Sequence, residues 1–391
     1  MLILKNAHLI GMADINYETV DIVIDHGKIQ HVGPMTEGQD SAAEVLDLKN
    51  AFVTPGIIDP HCHIGIFEES IGFEGLDVNE MTHPVYPELR AIDAIKPQDV
   101  AFTEALESGV TTVVTGPGSA NVIGGTFCIL KTYGKTIDDM LVSSESSMKM
   151  ALGENPKRVY HGKNLAPQTR MASAALIRES LHKAKEYLSK KNAYAKLIQE
   201  GKEANPPDFN MKWESLSRVF TGLPVKIHAH QQDDIVTAIR IIEEFQLQGT
   251  IEHATEGHLL LEYLKAHNQK VIIGPTLGSK SKYELRNKSF QSAKMLYEAG
   301  IEFAIMTDHP VIHLANALTQ AALFVREGLP ELEAFRAVTI QAARINGIGD
   351  RLGSIEVNKD ADIVVWDNHP FHYLTKTRMV FVNGQLVFQR T

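Results

Sequence analysis

The middle of the chain alternates short apolar runs with amphipathic stretches, and this rhythm limits the fold more than any other feature. A helical-period stretch at 98–108 leads into an apolar run at 110–114. Runs at 224–227, 249–252, 271–273 and 301–306 are each followed by a stretch of helical period, at 233–246, 256–267, 291–299 and 314–326. Strand-then-helix repetition implies a parallel sheet with helical crossovers. Enough units fit for an eight-stranded α/β barrel, although the pattern does not place the third strand. A doubly wound open sheet is the alternative. It is weakened because no glycine-rich phosphate loop follows the early strands.

The two ends differ from the middle. Residues 2–47 are rich in β-branched residues, with a break at Asp25-His26-Gly27. Residues 360–366 and 379–388 have the same texture, and Asn383-Gly384 between two apolar runs is a hairpin signal. Both ends are therefore expected to share one small sheet. A stretch at 156–221 is too long for a strand-to-helix loop. Its 170–200 part is helical in pattern, and Ala204-Asn205-Pro206-Pro207-Asp208 ends it. It reads either as a decorative insertion or as a lid or oligomer contact on the side where barrel sites lie.

The 17 histidines are the informative count. Most have no pattern, but a subset falls where strands end. His61 and His63 close the run that begins near Phe52. Residues i and i+2 on a strand point the same way, so both imidazoles can reach one metal ion, while Cys62 points to the other face and is not counted as a ligand. By itself the pair is weak evidence. His228 and His230 end the run at 224–227, His253 ends the next, and Asp308 follows the run at 301–306. Any one of these could be a satisfied buried histidine or a helix cap, and Asp308 before Pro310 fits a cap well. Their joint position at the carboxyl ends of strands, where parallel barrels build sites, is hard to explain without a metal. Imidazole nitrogen with carboxylate oxygen suits zinc first, with iron, manganese or nickel as alternatives.

Charge narrows the partners. Lys+Arg number 38 and Asp+Glu 48, for a net charge of −10. With no long basic run, nothing attracts nucleic acid or an anionic membrane. No apolar run is long enough to span a bilayer. The first residues lack a signal-peptide pattern, and two cysteines make no disulfide framework, so a cytoplasmic location is expected. The expected partner is a small-molecule substrate, with homo-oligomerisation.

Several segments together resemble the amidohydrolase superfamily, in the branch related to imidazolonepropionase and the metal-dependent Xaa-Pro dipeptidases. They are Val53-Thr54-Pro55-Gly56-Ile57-Ile58-Asp59-Pro60-His61-Cys62-His63, Gly109-Val110-Thr111-Thr112, Lys226-Ile227-His228-Ala229-His230, Ile251-Glu252-His253, Thr307-Asp308 and the tail at 350–364. The resemblance covers nearly the whole chain and says little about substrate. It implies a distorted (β/α)8 TIM barrel over 57–354, with a helical insertion near 156–221. It also implies a β-sandwich made of 1–56 and 355–391. Carried over, it places His61 and His63 on the more buried metal. His228 and His253 take a second metal, or, in one-metal members, His228 binds the single ion and His253 contacts water or substrate. Asp308 touches metal and acts as general base, and His230 is the lesser candidate of its pair. The bridging ligand stays open. Lys149 sits where a carboxylated lysine would, but a surface or substrate-binding lysine is an equal reading, and Glu154 is a further candidate. The cofactor is one or two divalent metal ions per chain.

The expected activity is hydrolysis of a carbon–nitrogen bond in an amide, cyclic amide or dipeptide. Deamination of an aminated heterocycle is the rival, and a non-catalytic metal-binding barrel is a weaker one. Retention of Asp308 with all the histidines argues against loss of catalysis. Substrate contacts are sought in loops. The glycine-rich stretch 116–125 could turn backbone N–H groups toward an anion, or form a tight turn. Lys157, Arg158, Tyr160 and Arg170 could hold a substrate carboxylate, or be solvated charge. The stretch 274–280 follows the seventh strand.

Overall fold

The computed structural model describes residues 1–14, 16–35 and 43–390. Its strands form two sheets. The first takes β1 (Leu2–Ile10), β2 (Asn16–Asp25), β3 (Lys28–Gly33), β4 (Glu44–Asp47) and β5 (Phe52–Pro55) from the beginning of the chain. The second is the run β6 (Ile57–Cys62), β7 (Val110–Thr115), β8 (Ile123–Lys131), β9 (Leu141–Ala151), β10 (Val225–Ala229), β11 (Gly249–His253), β12 (Lys270–Ile273) and β13 (Phe303–Ile305). The first sheet is completed from the end of the chain by β14 (Ile363–Trp366), β15 (Thr377–Val382) and β16 (Gln385–Gln389). The two β-rich ends therefore do share a sheet. The join is β5 against β14, antiparallel, with Val53 opposite Val365.

The apolar run read as one strand is two. It leaves the terminal sheet at Pro55 and enters the barrel at Ile57. Gly56 makes the passage possible, because a Cβ there would lie 1.9 Å from Thr111 Oγ1. Only a residue without a side chain lets the chain cross so close to β7.

The second sheet is a nearly closed barrel. Seven strands run parallel, and β8 runs antiparallel to both β7 and β9. This is the third strand, and its sense explains why a strand-then-helix rhythm could not place it: an antiparallel strand is reached by a short connection and needs no helical crossover. The seam between β13 and β6 is closed by backbone bonds beyond the strands, from His63 N to His309 O at 2.9 Å and Asp308 N to His61 O at 3.2 Å. Asp59 adds a side-chain stitch, accepting from Thr307 N at 2.9 Å and from the Thr307 hydroxyl at 2.5 Å.

Apolar residues of the barrel strands and their covering helices, among them Ile57, Val113, Leu130, Ile227, Ile251 and Phe324, make one large core. A separate core of Leu4, Ile22, Val53, Ile363 and Phe381 lies in the terminal sheet. The stretch between β9 and β10 holds helices at Glu154–His161, Arg170–Gln199 and Met211–Ser217. The longest presents Ala174, Ile177, Leu181 and Ala184 at helical spacing to the body of the protein. No helix is long and apolar enough to cross a membrane among the described residues.

Candidate metal centre

Every strand end singled out for chemistry opens on the same end of the barrel. β6 carries His61 there with His63 just after it, β9 carries Lys149, β10 carries His228 with His230 just after it, β11 carries His253, and Asp308 follows β13. His253 and Asp308 hold left-handed backbone, at φ 71° and 56°. Such backbone in a residue with a side chain costs on the order of 1–3 kcal/mol, and it persists where the surroundings force it. At His253 it also breaks the strand's alternation, so that Glu252 and His253 both turn inward.

Two groups of donor atoms result. His61, His63 and Asp308 form one, and His228, His230 and His253 the other, with the donor atoms of each group within 4.8 Å of one another. His63 Nε2 lies 3.2 Å from Asp308 Oδ1, and His61 Nε2 lies 3.8 Å from it. The rings of His61 and His253 bring the groups side by side, 5.8 Å between centroids. Lys149, buried, places Nζ 3.1 Å from His61 Nε2. Beneath them lies Phe127, whose ring is 4.9 Å from that of His61. Gly116 passes against that ring, where a Cβ would come within 2.4 Å.

Most of the imidazoles are held from behind. His61 Nδ1 meets Glu252 Oε2 at 2.5 Å, and His63 Nδ1 meets Gly116 O at 2.6 Å. His253 Nδ1 meets Gly274 O at 2.8 Å, and His230 Nδ1 meets the Thr255 hydroxyl at 2.7 Å. Carbonyl and carboxylate partners fix the proton on Nδ1 and leave Nε2 as a lone pair aimed inward. Burial, reinforced by neighbouring cations and imidazoles, pushes His61, His228 and His230 well below the usual histidine range, and His253 down to about 4. These rings are therefore neutral, the form that binds metal. Burial alone would raise the Asp308 carboxyl, but His253, His63 and Lys149 outweigh it and hold it below the usual range. Burial brings the Lys149 amine down to about 8.

Among the described residues, some buried polar atoms at this end have no hydrogen-bond partner. His228 Nδ1 and His230 Nε2 are two of them. Glu284 lies close, with Oε1 3.4 Å from His230 Nε2 and paired with Lys282 Nζ at 2.5 Å. Orphaned buried atoms are expensive unless something else satisfies them. The donor set therefore fits a divalent cation: buried imidazoles with a carboxylate, most of them anchored from behind, with His230 Nε2 unsatisfied.

The structure brings His230 as close to the centre as its strand neighbour, although the family resemblance ranks it the lesser of the two. Other candidates lie elsewhere. Arg158 is exposed on the Glu154–His161 helix and pairs with Glu154, 3.8 Å away. The backbone N–H of Glu154 donates to Glu284 Oε2 at 3.1 Å. Arg170 bonds Asp233 and lines a cleft of about 660 Å³ with Asp234 and Arg240 that none of the centre's histidines touches. Tyr160 is buried and donates to His83 O at 2.8 Å. These three do not reach the donor set because their polar atoms have local partners. The glycine-rich stretch fits the tight-turn reading. Gly118 N–H goes to Val78 O and Ala120 N–H to the Asn79 side chain, so these N–H groups face no anion. What the stretch supplies is a carbonyl, Gly116 O.

Three residues were not found by sequence reasoning. Asp59 was read only as part of the strand before the histidines. Glu252 stood within the quoted Ile251-Glu252-His253 with no role. Glu284 comes from a 3-10 turn after β12, and no spacing marks it.

A model of the amidohydrolase family matches residues 52–387. An amidohydrolase from Thermotoga maritima has the same fold, with a TM-score of 0.95 and 39% identity over the whole of both chains. Amidohydrolase tasK of Hapsidospora irregularis is 28% identical over 393 residues, covering 94% of this chain but 40% of that protein, so the chain spans less than half of that relative. The imidazolonepropionase of Maricaulis maris is 26% identical over 374 residues, 90% of this chain and 87% of that one.

Proposed function

The chain belongs to the amidohydrolase family, hydrolases of carbon–nitrogen bonds, and on that premise we propose that it cleaves an amide, cyclic amide or dipeptide at a metal centre with Asp308 as general base. One observation carries this reading. Two sets of buried donor atoms lie side by side, with the Asp308 carboxylate within one of them. His61, His63 and Asp308 would hold one cation. His228 and His253 would hold a second, with His230 beside them, and Lys149, carboxylated on its amine, would be a further ligand. A buried amine shifted toward 8 has the uncharged fraction that carboxylation by carbon dioxide requires. Without the carbamate, the centre would hold one ion, and His253 would be left to face the substrate. A divalent cation, zinc first for these donors, supplies Lewis acidity that polarises a carbonyl and acidifies water.

The chain's own residues manage the proton. Asp308, ionised and 3.2 Å from His63 Nε2, accepts a proton from the attacking water and returns it to the leaving nitrogen. The stitch from Asp59 to Thr307 fixes the turn that carries Asp308. The substrate is a small molecule entering at the open end of the barrel. A soluble cytoplasmic homo-oligomer completes the proposal. Exposed Met171 and Phe209, on the stretch between β9 and β10, offer the contact.

The test is elemental analysis of the purified protein, followed by an amide and dipeptide panel with ammonia release measured in parallel. One or two equivalents of transition metal and cleavage of a panel member are expected. Ammonia release from an aminated heterocycle, without amide cleavage, moves the assignment to deamination. Absence of bound metal, with no gain on adding zinc, manganese or iron, sinks the reading.

A further inference from the structure

Two buried lysines lie side by side in the barrel. Lys149 on β9 stands opposite Lys226 on β10 in the register of the parallel pair. Their surroundings differ. Lys149 Nζ reaches His61 Nε2, on the donor side. Lys226 Nζ reaches Pro60 O at 3.1 Å and Glu252 Oε2 at 3.4 Å, below the donors. Glu252 is fully buried, and its contacts form a closed set. Oε2 meets His61 Nδ1 at 2.5 Å as well as Lys226, and Oε1 accepts from the Thr250 hydroxyl. A carboxylate this deep is stable only when paired and hydrogen-bonded. Here the pairing leads to one nitrogen of one imidazole.

We infer that Glu252 and Lys226 are positioning residues of the centre: Glu252 holds the Nδ1 proton of His61, and Lys226 holds Glu252. The consequence is a fixed tautomer and ring direction for the histidine shared between the Asp308 side and the Lys149 side. A histidine free to take the other tautomer would present N–H where the lone pair is needed. This deepens the metal-centre reading and rests on it.

The experiment measures zinc rather than turnover. Glu252→Gln, Lys226→Met and Lys226→Arg are compared with the native chain for zinc affinity by chelator competition. The melting temperature of each metal-free protein is measured alongside. Outer partners of ligating histidines change metal affinity by roughly 10–100-fold. Glu252→Gln is expected to weaken zinc within that range, Lys226→Met to weaken it in the same direction, and Lys226→Arg to restore it in part. A residue that only props up the fold lowers the metal-free melting temperature and leaves zinc affinity in place. Native zinc affinity in folded Glu252→Gln overturns the inference. If that variant does not fold, native affinity in Lys226→Met overturns it. A native chain that binds no zinc, manganese or iron fails the metal-centre reading instead.

Discussion

A polar cluster at the open end of the barrel can be compared with another where the barrel meets the terminal sheet. At the second, Lys131 at the end of β8 lies 2.7 Å from Asp362 Oδ2 and 3.6 Å from Asp360 Oδ2. Asp360 also meets Lys28 at 2.5 Å and Arg351 at 2.9 Å, and Asp362 Oδ1 accepts from Asn383 N at 2.9 Å. Every side chain in that cluster has a partner, and opposite charges face one another. At the donor end most of the rings are anchored from behind, and His228 Nδ1 and His230 Nε2 are atoms that nothing in the chain satisfies. The difference separates structure from function. A cluster that completes itself holds two sheets together, whereas one that leaves atoms open is arranged for something that binds.

Four experiments can break this contrast or sharpen it. The largest effect is expected from Asp308→Asn. Loss of a general base costs on the order of 10²–10⁴ in kcat, and the metal-free protein should melt almost as the metal-free native chain does, because the residue serves chemistry. A kcat within threefold of native, on whichever panel substrate is cleaved, would show that Asp308 is not the base. Lys131→Met should do the reverse. Removing one partner of a buried pair destabilises by about 3–5 kcal/mol. Denaturant unfolding should show that loss while bound metal per folded chain stays constant. Unchanged stability would remove the Lys131 cluster from its structural role.

Metal removal comes next. A ligand that binds only the folded state stabilises it by about 2.7–4.1 kcal/mol at 100–1,000 times its dissociation constant. Chelated protein should therefore melt lower, and Lys131→Met and native protein should lose similar amounts. A chelated protein with an unshifted melting curve contradicts the metal centre. The smallest effect concerns acid. Burial pushes the Asp360 carboxyl up, but Lys28, Lys131 and Arg351 outweigh it and hold it below the usual range. Its stabilisation is thus present above the unfolded carboxylate value, about 4, and is lost as pH falls through the lower folded value. Asp360→Asn should flatten the fall in melting temperature below about pH 4. An identical acid limb in both proteins would discharge Asp360 from this part of the comparison.

Much of the donor end was legible in the chain. His61 and His63 stand two apart on a strand, and His228, His253 and Asp308 end apolar runs. Strand ends are readable because hydrophobic period reports burial, and a parallel barrel gathers its carboxyl ends on one side. The antiparallel β8 was not legible, since a connection without a helix breaks the rhythm that identifies the others. Nor was the fate of Arg158, Tyr160 and Arg170. A charged or phenolic residue after a strand has the same sequence context whether it faces a substrate or, like Arg170, a local aspartate.

The sequence by itself determined the alternation that makes the barrel, the pairing of the two β-rich ends, and the residue types that could hold a metal. These follow from local period and from which side chains carry donor atoms. Only the tertiary structure decided what each donor is free to do. His230 joined the second group because the carboxyl end of β10 sets it beside His228 and His253. Lys149 and Lys226 are both buried strand lysines, and only the packing of Glu252 against His61 and Lys226 separates them. The separation rests on contacts between residues far apart in the chain, such as His61 and Glu252, 191 positions apart. No local pattern can encode such a contact, because its energy comes from excluding water around groups that meet only when the barrel closes.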